Sequence, residues 1–160
     1  MGFVREVTVM VEASPEAVFD YVSDLARHGE WAGDKLTVAA TGHGTYHSVV
    51  DMGMKVPAEI SVEASERPRS FGYVCDDKLS GKYRWTFMLK SVAGGTRLTH
   101  QVERLRGPLL VRLIQPWVMW PLLGRPSSVR GLNNIKRRFA AGDEDGRPDK
   151  NRVRSPQPPT

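Results

Sequence analysis

The chain has 160 residues, of which 40% are hydrophobic and 26% are charged. This length suits one globular domain that buries its own core and needs no disulfide or metal to stabilise it. A single cysteine, Cys75, excludes an internal disulfide framework and a cysteine-rich metal site. The net charge of +5 would suit nucleic acid or an anionic membrane. The basic residues are scattered apart from one cluster, Lys136, Arg137 and Arg138, near the end of a predicted helix, so we expect no nucleic-acid partner.

The first residues show no targeting signal. Residues 1–11 place Arg5 and Glu6 within a short apolar alternation, whereas a secretory signal needs a continuous apolar run after a basic start. Gly2 is followed by Glu6 at the position where myristoylation requires a hydroxyl. We therefore expect a cytoplasmic protein.

A strand and a helix are predicted at the start of the chain. Residues 3–11 alternate in polarity and are rich in β-branched side chains, which is typical of a strand. Ser14 is a good helix N-cap and Pro15 fits the first helical position. These signals predict a helix over residues 15–23.

A second, shorter helical turn follows in the prediction. We expect it over residues 24–28, because Gly29 disfavours a continuing helix. Trp31 then falls in a loop.

Six further segments show the period-two pattern of strands. The breaks between them carry turn residues such as Gly42, Gly53, Pro68 and Gly94. Consecutive strands joined by short turns of this kind form an antiparallel meander. The segments are residues 35–41, 45–51, 56–66, 70–76, 82–90 and 96–105.

Several of these strands have one apolar face and one polar face. In residues 82–90 the apolar face consists of Tyr83, Trp85, Phe87 and Leu89. An antiparallel sheet with one face against a core and the other in water shows this pattern. Some other element must therefore cover the apolar face, and residues 108–141 are the candidate.

Residues 108–141 predict a helical layer. From about Ser127 onward, apolar residues recur at helical spacing. The preceding half is almost wholly apolar, but Pro116 and Pro121 interrupt it, so we expect a kink or two pieces divided near residues 121–126. After residue 141 the chain becomes polar and rich in proline, which predicts a disordered tail over residues 142–160.

Two sequence motifs carry a resemblance to a known family. Residues 11–24 read Val-Glu-Ala-Ser-Pro-Glu-Ala-Val-Phe-Asp-Tyr-Val-Ser-Asp, with Trp31 a few residues on, and residues 94–99 read Gly-Gly-Thr-Arg-Leu-Thr. With the order of elements, they resemble the START-like helix-grip superfamily, also called SRPBCC. The most similar branch is the polyketide cyclase/dehydrase and lipid-transport family.

The resemblance implies a single α+β domain over residues 1–141. A curved antiparallel sheet of six to seven strands would grip the C-terminal helix, with two short helices after the first strand. Between sheet and helix the family keeps an internal hydrophobic cavity. Trp31 would then lie near the rim of the cavity, where it either touches ligand or caps the core.

The resemblance also implies a function class. Members of the family bind lipids, sterols, hormones or polyketides, and some cyclise polyketide chains. We therefore expect binding or transport of a lipid, sterol or polyketide-like molecule, without a cofactor. No phosphate loop, dinucleotide fingerprint or nucleophile elbow demands an enzyme. A polyketide cyclase or dehydratase using the same cavity is the alternative, and a protein- or nucleic-acid-binding module with a basic surface is a third class.

The inward strand faces supply the predicted ligand contacts. His100 would be a polar group in an apolar pocket that orients a ligand or exchanges a proton, or else a structural histidine bonded to a neighbour. Tyr46 and Tyr73 would offer hydroxyls or pack as core aromatics. In an enzyme, His100 would be the catalytic group, with either tyrosine assisting. The predicted ligand-binding residues are Trp31, Tyr46, Met52, Tyr73, Trp85, Phe87, Leu98, His100, Leu113 and Trp117.

A metal site is not expected. His43 and His47 lie four residues apart, which on a strand separates them by about 13 Å, too far to share one ion. No cluster of acidic residues and cysteine completes a site.

The apolar run at residues 109–123 has two interpretations. It is too short and too interrupted to span a bilayer. It either lines the cavity and buries Trp117 there, or, with Arg112, Arg125 and Arg130, touches a membrane surface transiently. We expect the first.

Overall fold

The computed structural model describes residues 3–33, 35–51 and 53–141. Its strands are β1 (Phe3–Val11), β2 (Leu36–Gly42), β3 (Thr45–Asp51), β4 (Lys55–Glu66), β5 (Ser70–Asp77), β6 (Gly81–Val92) and β7 (Gly95–Arg106). Its α-helices are α1 (Pro15–Ser23), α2 (His28–Ala32), α3 (Leu109–Ile114) and α4 (Arg125–Ala140). A 3-10 turn at Leu25–Arg27 and a π-helical segment at Gln115–Gly124 complete the described elements. The tail predicted at residues 142–160 lies outside them.

The seven strands form one curved antiparallel sheet in the order β1-β7-β6-β5-β4-β3-β2. Strands β2 to β7 follow one another as a meander, and β1 pairs with β7 at the far side. The observed strand bounds agree with the predicted ones to within two residues at each end. The predicted fold class is therefore confirmed: a curved sheet, a long C-terminal helix and short helices after the first strand.

The two faces of the sheet differ as the alternation predicts. On β6, Phe87 is fully buried and Leu89 nearly so. The opposite face carries Arg84, which bridges Glu63 and Glu103 of the neighbouring strands with N···O distances of 2.7 Å each. Apolar side chains therefore meet the helical layer, while charges pair across strands in water.

Helix α4 covers the apolar face near β1. Leu132, Ile135 and Phe139 recur every three or four residues and are buried. Phe139 packs edge-to-face on Tyr21 of α1, with ring centroids 5.7 Å apart. This single apolar stripe orients α4 against β1, α1 and α2.

The region after α1 corrects the sequence prediction. The expected end at Gly29 is wrong, because α2 continues to Ala32 and Trp31 lies in this helix rather than in a loop. A Cβ at residue 29 would lie 2.6 Å from the carbonyl oxygen of Leu36. Glycine at this position therefore permits close approach to β2 and does not end the helix, which ends at Ala32 and is followed by Gly33 with φ 129°.

The proline-rich run is a change of helix type rather than a break. A proline ring in a regular α-helix clashes with the carbonyl four residues earlier. Here Pro121 lies within the π-helical segment, whose wider turn joins α3 to α4. The predicted division near residues 121–126 corresponds to the point where α4 begins at Arg125.

The turn between β6 and β7 provides a test of this packing. Gly95 has φ 144°, and a Cβ there would lie 2.1 Å from the carbonyl oxygen of Val11. Gly94 has φ 82°, but a Cβ there would meet nothing within 4 Å. We expect Gly95→Ala to lower the free energy of unfolding by about 3 kcal/mol or more, and Gly94→Ala by about 1 kcal/mol. Urea denaturation followed by circular dichroism checks this, and equal losses would contradict it.

Candidate functional site

The antiparallel register of β6 and β7 places His100 between two aromatic rings. Phe87 is the direct cross-strand partner of His100. The imidazole stacks on the Phe87 ring at 4.7 Å and on the Trp85 ring at 5.3 Å, with interplanar angles of 17° and 16°. Only 4% of His100 is exposed, so the prediction that it faces the interior agrees with the structure.

Helix α2 brings a second histidine to the same place. His28 stacks on Trp31 with centroids 4.3 Å apart, and its Nε2 lies 3.3 Å from the Tyr73 hydroxyl. Trp31 meets Phe87 edge-on at 5.4 Å. The histidine cluster is defined here as His28, Trp31, Tyr73, Trp85, Phe87 and His100.

Polar contacts to α1 and α4 fix the position of α2. Glu30 accepts a hydrogen bond from the Tyr21 hydroxyl at 3.2 Å and pairs with Arg138 of α4 at 3.4 Å. Asn134 of α4 donates to the carbonyl oxygen of Trp31 at 3.0 Å. These contacts hold a five-residue helix that has little stability of its own.

Burial keeps the cluster uncharged at neutral pH. Removal from water lowers the pKa of His100 to about 4. The same burial, together with repulsion from His100, lowers the pKa of His28 to about 3. Burial raises the pKa of Tyr73 well above its ordinary value, so its hydroxyl stays protonated.

Three polar atoms of the cluster lack hydrogen-bond partners among the described residues: His28 Nδ1, Trp31 Nε1 and His100 Nε2. A buried polar atom without a partner costs about 1–3 kcal/mol, and most such atoms in proteins are paired. The indole N–H is a donor, and each imidazole nitrogen donates or accepts according to its tautomer. Together these atoms have the chemistry to bind a carbonyl or hydroxyl oxygen.

The other predicted ligand-binding residues lie in different places. Leu98 is fully buried on the inward face of β7. Tyr46 is partly buried against the core, on β3 and outside the histidine cluster. Leu113 and Trp117 are 64% and 82% exposed, so the structure does not place them in the interior. They project from α3 and the π-helical segment. Helix α3 packs on the π-helical segment, and that segment packs on α4. Met52 lies outside the described residues.

The sequence prediction missed His28. It assigned His28 to the end of a turn and Trp31 to a loop, which separated two residues that stack on each other. The available signal was their spacing of three residues, which places both rings on one side of a helix.

Two further reactive side chains, His47 and Cys75, lie outside the cluster. His47 Nδ1 lies 2.7 Å from Glu59 Oε1 on the solvent side of the sheet. Burial, with repulsion from Asp77 and Asp76, raises the pKa of Cys75 to about 12, so the thiol is not a thiolate at neutral pH. Within residues 3–33, 35–51 and 53–141, no three metal-ligating side chains come together.

A seven-stranded antiparallel sheet closed by a C-terminal helix, with buried aromatic and imidazole rings between them, defines a helix-grip protein. The chain belongs to the polyketide cyclase/dehydrase and lipid transport family, whose model matches residues 4–140. No curated protein matches the chain in sequence.

Solved structures share this fold at low sequence identity. The ZhuI aromatase/cyclase from Streptomyces sp. R1128 is 17% identical, with a TM-score of 0.65 over 88% of this chain and 94% of that one. A protein from Thermus thermophilus is 20% identical, with a TM-score of 0.66 over 88% of this chain and 99% of that one. DynU16, from the dynemicin biosynthetic locus, is 20% identical with a TM-score of 0.63 over 91% of this chain and 50% of its own length. The chain therefore spans about half of DynU16, and these likenesses show the fold alone.

The neutral histidines predict a loss of stability in acid. The unfolded chain binds a proton at His100 near pH 6.5, whereas the folded chain binds it only near pH 4. Folding free energy is therefore lost as the pH falls from about 6.5 to about 4, by ~2 kcal/mol at about pH 5. His100→Phe keeps a stacking ring and removes this titration. We compare the free energies of unfolding of the variant and the wild type in urea at about pH 7.5 and at about pH 5. The difference between them should shift by ~2 kcal/mol in favour of the variant at the lower pH. Equal pH slopes would contradict this assignment.

Proposed function

We propose that this protein binds a hydrophobic small molecule between the sheet and α4, and that the ligand carries at least one carbonyl or hydroxyl oxygen. Aromatic polyketide-like compounds have this chemistry, as do sterols and many lipids. The observation that carries the proposal is the set of three unpaired polar atoms among stacked rings. The family description, which names polyketide cyclases, dehydrases and lipid transport, supports it.

The rings and the polar atoms contribute differently to such a site. Burial of ~300 Å² of apolar ligand surface contributes ~7 kcal/mol before the costs of ordering are subtracted. This term is non-directional and would accept many flat or flexible ligands. A hydrogen bond to His28, Trp31 or His100 adds about 1 kcal/mol and discriminates against a hydrocarbon of the same shape.

The low pKa values favour binding over catalysis. A general base works best when its pKa is near the working pH. His28 and His100, with pKa values of about 3 and about 4, are weak bases that are well suited to hydrogen bonding without charge. We therefore assign the leading function to a carrier or binder.

Dehydration of a β-hydroxy ketone is the second candidate, favoured by the contact between Tyr73 and His28. An imidazole nitrogen would take the proton next to the carbonyl, and the bond from carbon to the hydroxyl group would break. Tyr73 would donate its proton to the departing hydroxyl, which leaves as water. Ligand binding would have to raise the imidazole pKa for this step to be efficient.

Binding is tested with two matched probes, a hydroxylated anthraquinone and anthracene, by quenching of tryptophan fluorescence. We expect the wild type to bind both. His100→Phe should weaken the binding of the anthraquinone about fivefold, which is the equivalent of one hydrogen bond. The affinity for anthracene should not change. Trp117→Ser, at an exposed position, is the control and should bind both probes as the wild type does.

Two results would count against the proposed binding site. One is the absence of saturable binding of either probe. The other is an equal loss of affinity for both probes in His100→Phe, because His100 would then contribute to packing rather than to a polar contact with the ligand.

The second candidate is tested by the dehydration of an aryl β-hydroxy ketone, followed by ultraviolet absorbance of the enone. A catalyst should accelerate this reaction, and both Tyr73→Phe and His28→Phe should slow it about a hundredfold. A wild-type rate equal to that of buffer would exclude this activity and leave the carrier function.

A further inference from the structure

Large apolar side chains are exposed along one continuous stretch, from α3 through the π-helical segment. We call this stretch the α3–π surface. Trp117 has the largest exposed fraction, at 82%, and Leu109 and Leu122 have 68% each. The exposed apolar residues of the surface are Leu109, Leu110, Leu113, Ile114, Trp117, Val118, Leu122 and Leu123. None of the described helices is long and apolar enough to cross a membrane.

The inner side of this stretch is anchored to the fold. Gln115 is buried and accepts a hydrogen bond from Arg104 of β7. The Trp120 ring packs edge-on against Phe3 of β1 at 5.9 Å and lies against Gly124. Because the inner side is anchored, the outer apolar side chains stay exposed to solvent. This exposure of apolar surface is unfavourable unless a partner covers it.

Charge is distributed unevenly along the chain. Residues 1–103 contain 11 basic and 14 acidic side chains, and residues 142–160 contain four of each. Residues 104–141 contain eight basic side chains and no aspartate or glutamate. These cations are Arg104, Arg106, Arg112, Arg125, Arg130, Lys136, Arg137 and Arg138.

Two of these cations flank the exposed apolar side chains. Arg112 lies within α3 and Arg125 directly follows the π-helical segment, and both are exposed. Neither forms an ion pair with another residue of the described part of the chain. Apolar side chains beside unpaired arginines suit a surface that is apolar inside and anionic at its boundary.

We propose that the α3–π surface docks on the face of an anionic lipid bilayer. Leucines and Trp117 would enter the boundary between headgroups and acyl chains, while Arg112 and Arg125 remain at the lipid phosphates. A second copy of this chain is a poorer partner, because each copy would present the same excess of positive charge to the other. The proposal stands apart from the proposed interior site, since no residue of the histidine cluster takes part in it.

Vesicle flotation tests this docking. The full chain is mixed with vesicles of phosphatidylcholine alone or of phosphatidylcholine with phosphatidylglycerol. We expect binding to the anionic vesicles and about tenfold weaker binding to the neutral ones. The double variant Arg112→Gln/Arg125→Gln should lose most of this preference, whereas Lys90→Gln/Arg97→Gln, at exposed positions on β6 and β7, should keep it.

The contribution of apolar side chains to vesicle binding is tested with a matched pair of variants. Leu113 and Leu79 are 64% and 53% exposed, so neither substitution by serine should impair folding. Leu113→Ser should lower the vesicle partition coefficient about tenfold, and Leu79→Ser should leave it unchanged.

Three results would overturn the docking proposal. They are no flotation with anionic vesicles, equal losses in Leu113→Ser and Leu79→Ser, and a dimer in sedimentation equilibrium that Leu113→Ser dissociates. The last would assign the surface to a second copy of the chain. Probe binding at the histidine cluster is measured on the same variants, so failure of docking and failure of the interior site are distinguished.

Discussion

Trp31 packs edge-on against Phe87 of the sheet, and its ring also lies close to the backbone of α4 at Gly131. A Cβ at residue 131 would lie 3.3 Å from the Trp31 ring, which shows how closely helix and ring approach. Because α2 has five residues, this wedge and the Asn134 hydrogen bond determine where it lies. The position of His28, and with it the second imidazole of the cluster, depends on this contact.

Two neutral imidazoles provide hydrogen-bonding atoms in an apolar interior without burying a charge. A carboxylate or ammonium group at the same place would need a partner of opposite charge, at a desolvation cost of several kcal/mol. A neutral imidazole stacks like an aromatic ring and still offers a nitrogen for hydrogen bonding. His100 does both, since it stacks on Trp85 and Phe87 while its Nε2 remains without a partner among the described residues. This combination favours a site that selects a ligand over one that moves protons.

The sheet could be predicted from the sequence because its strands are long and alternate regularly. On β6, the side chains that share a predicted face are the ones that meet the core. The same alternation predicts that His100 lies on the inward face of its strand, and the register of the sheet then makes Phe87 its cross-strand partner.

The helical layer was harder to predict, for two reasons. A five-residue helix such as α2 shows too little periodicity to separate it from a turn, so His28 was overlooked. In α3 and the π-helical segment, apolar character predicts burial, yet Leu113 and Trp117 are exposed. Apolar residues also occur on surfaces, and a wider helical turn changes which side chains point outward.

We propose that the histidine cluster binds the oxygen of a hydrophobic ligand. The chain has four histidines, of which His28 and His100 are buried in the cluster, whereas His43 lies in the turn between β2 and β3 and His47 lies on β3. Nitrogen NMR of protein labelled with ¹⁵N-histidine therefore follows the two buried and the two distant histidines in one titration with a hydroxylated anthraquinone. The account predicts saturable shifts of the His28 and His100 ring nitrogens, with those of His43 and His47 unchanged. Shifts confined to His43 and His47, or no shift at ligand saturation, would contradict it.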